Sequence, residues 1–226
     1  LHTSNWFGTG KLLSDSSEGG LVIHLTFKSP STITNPSGLT ARIMNAAVLH
    51  STIAVAPAVK GLTIVSDQPA TIWGGFNSSN TTKIPSAVMA DALTILSNDW
   101  SDANSALAKS SRVVSSNVII NAAFLAGTDT TGDTEGLGGQ GGAYNGGLEN
   151  YPRLLERWTG RTLQYRGSFV SLGRPQYTNS SWSGSYYDPP VRDWNYDTSF
   201  NNAANLPPLT PRFVYLRQEL FIRDFD

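Results

Sequence analysis

The sequence predicts a mainly β fold: a solenoid-like or irregular β scaffold with short helices near 85–96 and 150–158. Two observations carry that reading. Between Gly61 and Trp100, two short apolar runs, Leu62–Val65 and Ala70–Trp73, flank a corner of Ser66, Asp67, Gln68 and Pro69. Short strands separated by sharp polar corners are how a β scaffold turns its chain repeatedly. Leu21–Phe27 follows Gly19-Gly20 and alternates, so Val22, His24 and Thr26 share one face and Leu21, Ile23, Leu25 and Phe27 the other.

Composition sets the outer bounds. The 226 residues suffice for a sizeable core without a staple, and the absence of Cys excludes disulfides and thiolate metal sites. Only 15% of residues are charged and the formal net charge is −1, so Ser, Thr, Asn and Gly supply most of the polarity. That balance suits an extracellular surface and argues against a general nucleic-acid binder. No apolar run reaches the roughly 18 residues that a spanning helix needs. The chain opens on Leu1 and not on Met, and the expectation is a processed or truncated product.

The remaining elements follow in chain order. Ser29–Gly38 is a Ser/Thr/Pro/Gly loop. Arg42–Leu49 (RIMNAAVL) and Val118–Leu125 (VIINAAFL) share an Ile, an Asn-Ala-Ala and a closing Leu, which reads as two equivalent strands or as chance between Ala-rich strings. Pro85–Leu96 predicts a helix: Pro85 suits a first turn, and Val88, Met89, Ala92, Leu93, Ile95 and Leu96 would cover most of its circumference. Gly127–Gly147 is too Gly-rich to build a core and predicts a mobile loop. Asn150 and Pro152 would open a second helix running to Trp158. Arg161–Leu172 predicts two strands bent or bulged at Gly167. Tyr177–Pro211 is aromatic and irregular, and Phe213–Phe221 favours a strand. The organisation expected is a β-rich region over 1–127, a Gly-rich loop over 128–147, and a helix plus β/aromatic region over 148–226 packed on the first as one domain.

Candidate chemistry is sparse. The three His residues, His2, His24 and His50, all precede residue 51, and no Gly-x-Ser-x-Gly elbow accompanies them, so a nucleophilic triad is disfavoured. Asp129, Asp133 and Glu135 place carboxylates in the Gly-rich loop, and such oxygens suit Ca²⁺. Their spacing misses the EF-hand pattern, and a solvated loop explains them equally well. Asp99, Asp102 and Asn104 form a similar set. No other cofactor is implied. Asp67, Asp91, Glu149 and Asp188 could pair for glycoside cleavage, but nothing in the sequence brings two of them together.

Two groups remain as binding candidates. Arg153, Arg157, Arg161, Arg166 and Arg174 stand against one acid, Glu156, with Trp158, Tyr165, Phe169 and Tyr177 interleaved. Cations with stacking rings suit single-stranded nucleic acid or another polyanion. The bland alternative is structural arginine lying over aromatic faces or paired with carboxylates. Trp182, Tyr186, Tyr187, Trp194 and Tyr196 form the second group, suited to sugar stacking if exposed and to core packing if buried.

Several strings in order resemble a known family: Gly19–Val22, Gly61–Pro69, Ile84–Ser97, Asn121–Ala123, Tyr144–Arg153, Tyr186–Trp194 and Leu206–Pro211. Over most of residues 19–211 they resemble the C-terminal, β-solenoid-containing region of large bacterial type IV minor pilins and PilX-like pilus-assembly proteins. That family's N-terminal pilin helix has no counterpart in this chain. The resemblance implies a non-enzymatic domain at the bacterial cell surface or on a pilus, a minor pilin or tip component in adhesion or DNA capture. Its partners would be other pilins or filament subunits, and DNA or surface polysaccharide. The rival readings are a polysaccharide lyase or hydrolase on a β-helix, and a structural filament subunit.

Overall fold

A computed structural model describes residues 14–27, 39–50, 56–79, 83–127, 151–171, 175, 177 and 186–210. Among these residues ten strands form in chain order: β1 (Leu21–Leu25), β2 (Ala41–Met44), β3 (Leu62–Ser66), β4 (Ala70–Trp73), β5 (Ser86–Ala90), β6 (Leu93–Leu96), β7 (Val118–Ala126), β8 (Arg153–Leu154), β9 (Thr162–Ser171) and β10 (Val191–Tyr196). They make two sheets, six-stranded in the order β1-β3-β5-β7-β9-β10 and four-stranded in the order β2-β4-β6-β8. Every strand pairing is parallel. From β1 to β8 the chain alternates between the two sheets, so each turn of chain adds one strand to both.

Register puts like residues over like. Ile23, Ile64, Val88, Phe124 and Phe169 align across the six-stranded sheet. Ile43, Ile72, Ile95 and Leu154 align across the other. These two rows meet in one apolar core that includes Ala70, Leu93 and Ile120. A one-residue slip would turn a whole strand's apolar set outward, so burial of these rows pins the register. The alternation expected over Leu21–Phe27 is observed, with Val22, His24 and Thr26 exposed and the odd residues half-buried. The corner at Ser66–Pro69 is also observed: the Gln68 N–H donates to Ser66 Oγ at 3.1 Å, and the Pro69 carbonyl accepts from the Ala41 N–H at 2.8 Å.

Both expected helices are corrected, and no α-helix occurs among the described residues. Residues 85–96 form β5 and β6, turned at Asp91 and Ala92. Val88, Leu93 and Ile95 all point inward, from two strands on facing sheets. On one short string, that pattern is indistinguishable from a helix buried all round. In 150–158, Arg153 and Leu154 pair with Thr94 and Ile95 as β8, because the edge of β6 offers hydrogen bonds that a short isolated helix could not match. The two Asn-Ala-Ala strings are not equivalent. Asn45 ends β2 at φ 55°, whereas Asn121 lies inside β7 on the other sheet. Gly167 neither breaks nor bulges its strand, since β9 runs through it with a continuous register against β7. The loops expected over 29–38 and 128–147, and the strand over Phe213–Phe221, lie outside the described residues.

After β10 the chain crosses the outside of the six-stranded sheet. Lys83 Nζ meets Asp197 Oδ2 at 2.6 Å, Thr63 Oγ1 donates to the Pro208 carbonyl at 2.8 Å, and the Leu209 N–H donates to the Glu18 carbonyl at 3.2 Å. Residues 197–210 therefore strap the last strand to the first. Burial would raise the Asp197 carboxyl, but hydrogen bonds from Lys83 and Ser199 outweigh it and hold the group below its usual range. Among the described residues, no helix is long and apolar enough to cross a membrane.

Candidate binding cleft

Among the described residues the four-stranded sheet ends at β8, and β9 and β10 extend the larger sheet past it. Register sets Tyr165 beside Trp194 and Gly167 beside Tyr196. Side chains at two-residue spacing share a face. That puts Tyr165, Phe169, Trp194 and Tyr196 on the side of the sheet that forms the core elsewhere. Tyr165 and Phe169 stack with ring centroids 4.2 Å apart and planes 9° from parallel. Trp194 meets Phe169 at 5.4 Å, and Tyr151 meets Phe169 at 5.2 Å. A cleft of about 480 Å³ opens here, lined by Tyr165, Gly167, Phe169, Trp194, Asn195 and Tyr196.

The polar groups of β9 and β10 are mostly committed. Tyr165 Oη shares its proton between the carbonyls of Ala122 at 2.6 Å and Ser168 at 2.9 Å. Burial pushes the Tyr165 and Tyr151 phenols well above their usual range, so both stay neutral donors. Arg166 donates to both carboxylate oxygens of Asp193 at 3.0 Å and to the Asp193 carbonyl at 2.7 Å. The Arg192 guanidinium lies 4.9 Å from the Trp194 ring centroid. Trp194 Nε1 is buried with no hydrogen-bond partner. Rings of this kind can hold a flat, partly apolar ring by stacking.

The arginine/aromatic patch does not assemble as expected. Arg153 and Trp158 are buried, and Trp158 belongs to the core, so neither is a contact residue. Arg157 is exposed on a line of isolated parallel bridges joining Val113, Arg157 and Asp188. Its Nε is 3.7 Å from Asp188, which also takes Lys109 Nζ at 2.6 Å. Arg161 is exposed at the start of β9, and Arg166 is tied to Asp193. Arg174 lies outside the described residues. Tyr165 belongs to the cleft and not to a basic surface.

The second aromatic group divides. Trp194 and Tyr196 line the cleft, Tyr186 is exposed, Tyr187 is buried in the core, and Trp182 lies outside the described residues. The Ca²⁺ candidates Asp129, Asp133 and Glu135, and the acid Glu149, also lie outside them. Among the described residues, no three His, Cys, Asp or Glu side chains are placed to hold a metal. Asp99 accepts from Ser115 N–H and Oγ at 2.7 Å, and Asp102 accepts from Arg42 and from the Trp100 indole. Asp67 and Asp91 sit at corners of the six-stranded sheet, where Asp91 accepts from the Tyr177 N–H at 2.9 Å. Asp188 belongs to the separate line of bridges.

Two features were not anticipated. The cleft joins residues from both candidate groups, and the signal available was the spacing 165-167-169 on one strand and 192-194-196 on the next. Glu156 is fully buried and accepts from Ser97 N–H and Oγ, both at 2.6 Å; nothing in its sequence neighbourhood marks it. Compared with family models, curated proteins and solved structures, the chain matches none.

Proposed function

We propose that this chain is a solenoid-like β domain displayed at the bacterial surface on a pilus or filament-associated protein, and that it adheres to a carbohydrate polymer through the cleft at the end of β9 and β10. The alternation of successive strands between two parallel sheets supports the solenoid reading. The single observation behind the ligand class is the convergence of Tyr165, Phe169, Trp194 and Tyr196 on one opening. Sugar rings present apolar C–H faces that stack on such side chains. Adhesion is favoured over DNA capture because Arg166 faces Asp193 and Arg153 is buried.

The work of this domain is binding without turnover. A polysaccharide-cleaving enzyme on the same scaffold is the rival. It needs two carboxyl groups roughly 5–10 Å apart across one cleft, whereas Asp193 alternates with Trp194 onto the opposite face of β10, where Arg166 engages it, and Asp197 is engaged by Lys83 in a separate pocket. The test is retention on a panel of immobilised neutral and anionic polysaccharides, wild type against Trp194→Ala. Trp73→Ala, on the other sheet, serves as control. Retention that depends on Trp194 and not on Trp73, with no release of reducing ends, is the outcome expected. Equal retention of wild type and Trp194→Ala would remove the cleft from the account, and released reducing ends would favour the enzyme.

A further inference from the structure

Residues 197–210 cross the outside of the six-stranded sheet without filling the space beside it. The crossing is fixed at both ends. The Asp197 N–H donates to the Gly167 carbonyl at 3.0 Å, and Pro207 and Pro208 are buried where the chain reaches β3. Between these anchors lie two single 3-10 turns, Thr198–Asn201 and Ala203–Asn205, and neither buries a residue. Polar caps hold them: the Asp197 carboxylate accepts from the Ser199 N–H and the Asn202 amide from the Ala204 N–H, both at 3.0 Å. A segment serving only to brace the sheet would pack apolar side chains into the gap, as protein interiors do. Instead a cavity of about 320 Å³ remains, lined by Phe200 and Asn205 from the turns and by Asn77, Lys83, Asn121 and Asp197. Asn121 alternates with the buried Ile120 and Ala122, so this cavity and the aromatic cleft lie on opposite faces of the sheet.

We infer that this cavity is a second binding site and that it takes a single neutral sugar unit. The polar groups of its lining are set in advance. Asn77 is buried and committed: its Nδ2 donates to the Ile84 carbonyl at 2.7 Å and its Oδ1 accepts from the Ile84 N–H at 3.2 Å. Its own carbonyl accepts from Asn121 Nδ2 at 2.8 Å, and the Ser199 carbonyl accepts from Asn205 Nδ2 at 3.3 Å. Each of these amides is thereby oriented by its NH₂ group, since a flipped amide would set oxygen against oxygen. What each leaves over is its Oδ1, which accepts no hydrogen bond among the described residues and is not sealed from solvent. Two fixed acceptors call for a ligand rich in hydroxyl donors. Lys83 Nζ gives one of its three N–H groups to Asp197 and keeps others for a ligand oxygen. Lys83 and Asp197 are the charged residues of the lining and cancel, so the lining selects no ion. Phe200 and Pro85 supply an apolar wall for the C–H face of a sugar ring. The volume stands at the lower end of the roughly 300–1,000 Å³ of small-molecule sites, which suits one ring and not a chain. The inference does not rest on the reading of the aromatic cleft.

Titration of the ¹⁵N-labelled chain with glucose, galactose, mannose and N-acetylglucosamine, followed by amide chemical shifts, reads both affinity and place. The result expected is saturable shifts in residues 77–86, 121 and 197–205 with at least one of these sugars. Asn205→Ala removes one acceptor from an exposed turn and should weaken that binding by about 2- to 10-fold, the range for one lost hydrogen bond. Its urea midpoint should match wild type, which separates a lost contact from a lost fold. Lys83→Ala should weaken the same titration. Trp194→Ala, in the aromatic cleft, should leave it unchanged. No saturable shift with any of the four sugars, shifts confined to the cleft strands, or an Asn205→Ala protein that binds like wild type would each overturn the inference. So would a site that takes methylammonium and no sugar, because the acceptors would then serve a cation. Polysaccharide retention through Trp194 is a separate readout, so failure of one result leaves the other standing.

Discussion

The phenol of Tyr165 lies across Gly167, two residues further along the same strand. A Cβ at position 167 would come within 2.5 Å of Tyr165 Oη and closer still to the Ala122 carbonyl. The missing side chain lets the ring fold back along β9, reach the Ala122 and Ser168 carbonyls, and stack on Phe169. A glycine inside a strand ordinarily weakens it. Here it is the space in which an aromatic side chain is held beside the cleft.

Gly167→Ala should therefore destabilise the fold by about 1–3 kcal/mol, the usual range for overpacking a closed site. Tyr165→Phe should cost about 1–2 kcal/mol, because the Ala122 carbonyl loses a donor inside the core. Urea midpoints at fixed m-value check both. A Gly167→Ala midpoint equal to wild type would mean that the ring has room to move.

The two-strand geometry of 85–96 makes a second prediction. Ile95 is fully buried on β6, whereas Met89 lies on the outward face of β5. Ile95→Ala should cost about 2–5 kcal/mol, the range for truncating a buried aliphatic side chain. Met89→Ala should cost less than about 1 kcal/mol, as for a partly exposed residue. Similar losses for the two variants, read by thermal or urea unfolding, would contradict the facing-sheet arrangement.

Glu156 gives a pH dependence with a definite sign. Burial raises its carboxyl above the usual value, against hydrogen bonds from Ser97 that lower it. The folded state then holds the proton more tightly than the unfolded chain does. Stability falls as pH rises from about 4.5, the ordinary value, toward the raised one. Glu156→Gln keeps the shape, can pair with Ser97 N–H and Oγ, and carries no charge. It should equal wild type below pH 4.5 and exceed it at neutral pH. Unfolding midpoints measured from acid to neutral pH in both proteins check this. Parallel curves would show that Glu156 has no net effect on the pH profile.

Much of the strand content was legible. The corner at Ser66–Pro69 and the alternation at Leu21–Phe27 are local patterns, and each is observed where the residues place it. Residues 85–96 were not legible as strands, because a 12-residue string with apolar residues at most positions fits a helix buried all round and two strands facing each other equally well. The arginines were visible as residues but not as a surface. Arg166 is matched by Asp193 from a strand 27 residues away, and Arg153 is buried in β8, which only the edge of β6 creates.

Local chemistry is enough to dictate that this chain makes short strands and sharp corners, carries no thiol chemistry and keeps its charges few. Side-chain alternation and turn preference act over two to four residues and can be read in one dimension. The pairing of β9 with β10, the return of residues 197–210 to the first strands, and the meeting of Tyr165 with Trp194 arise from contacts between distant segments. Their energy comes from excluding water between surfaces that exist only once the sheets have stacked, so the cleft is a property of the assembled layers and of no segment taken singly.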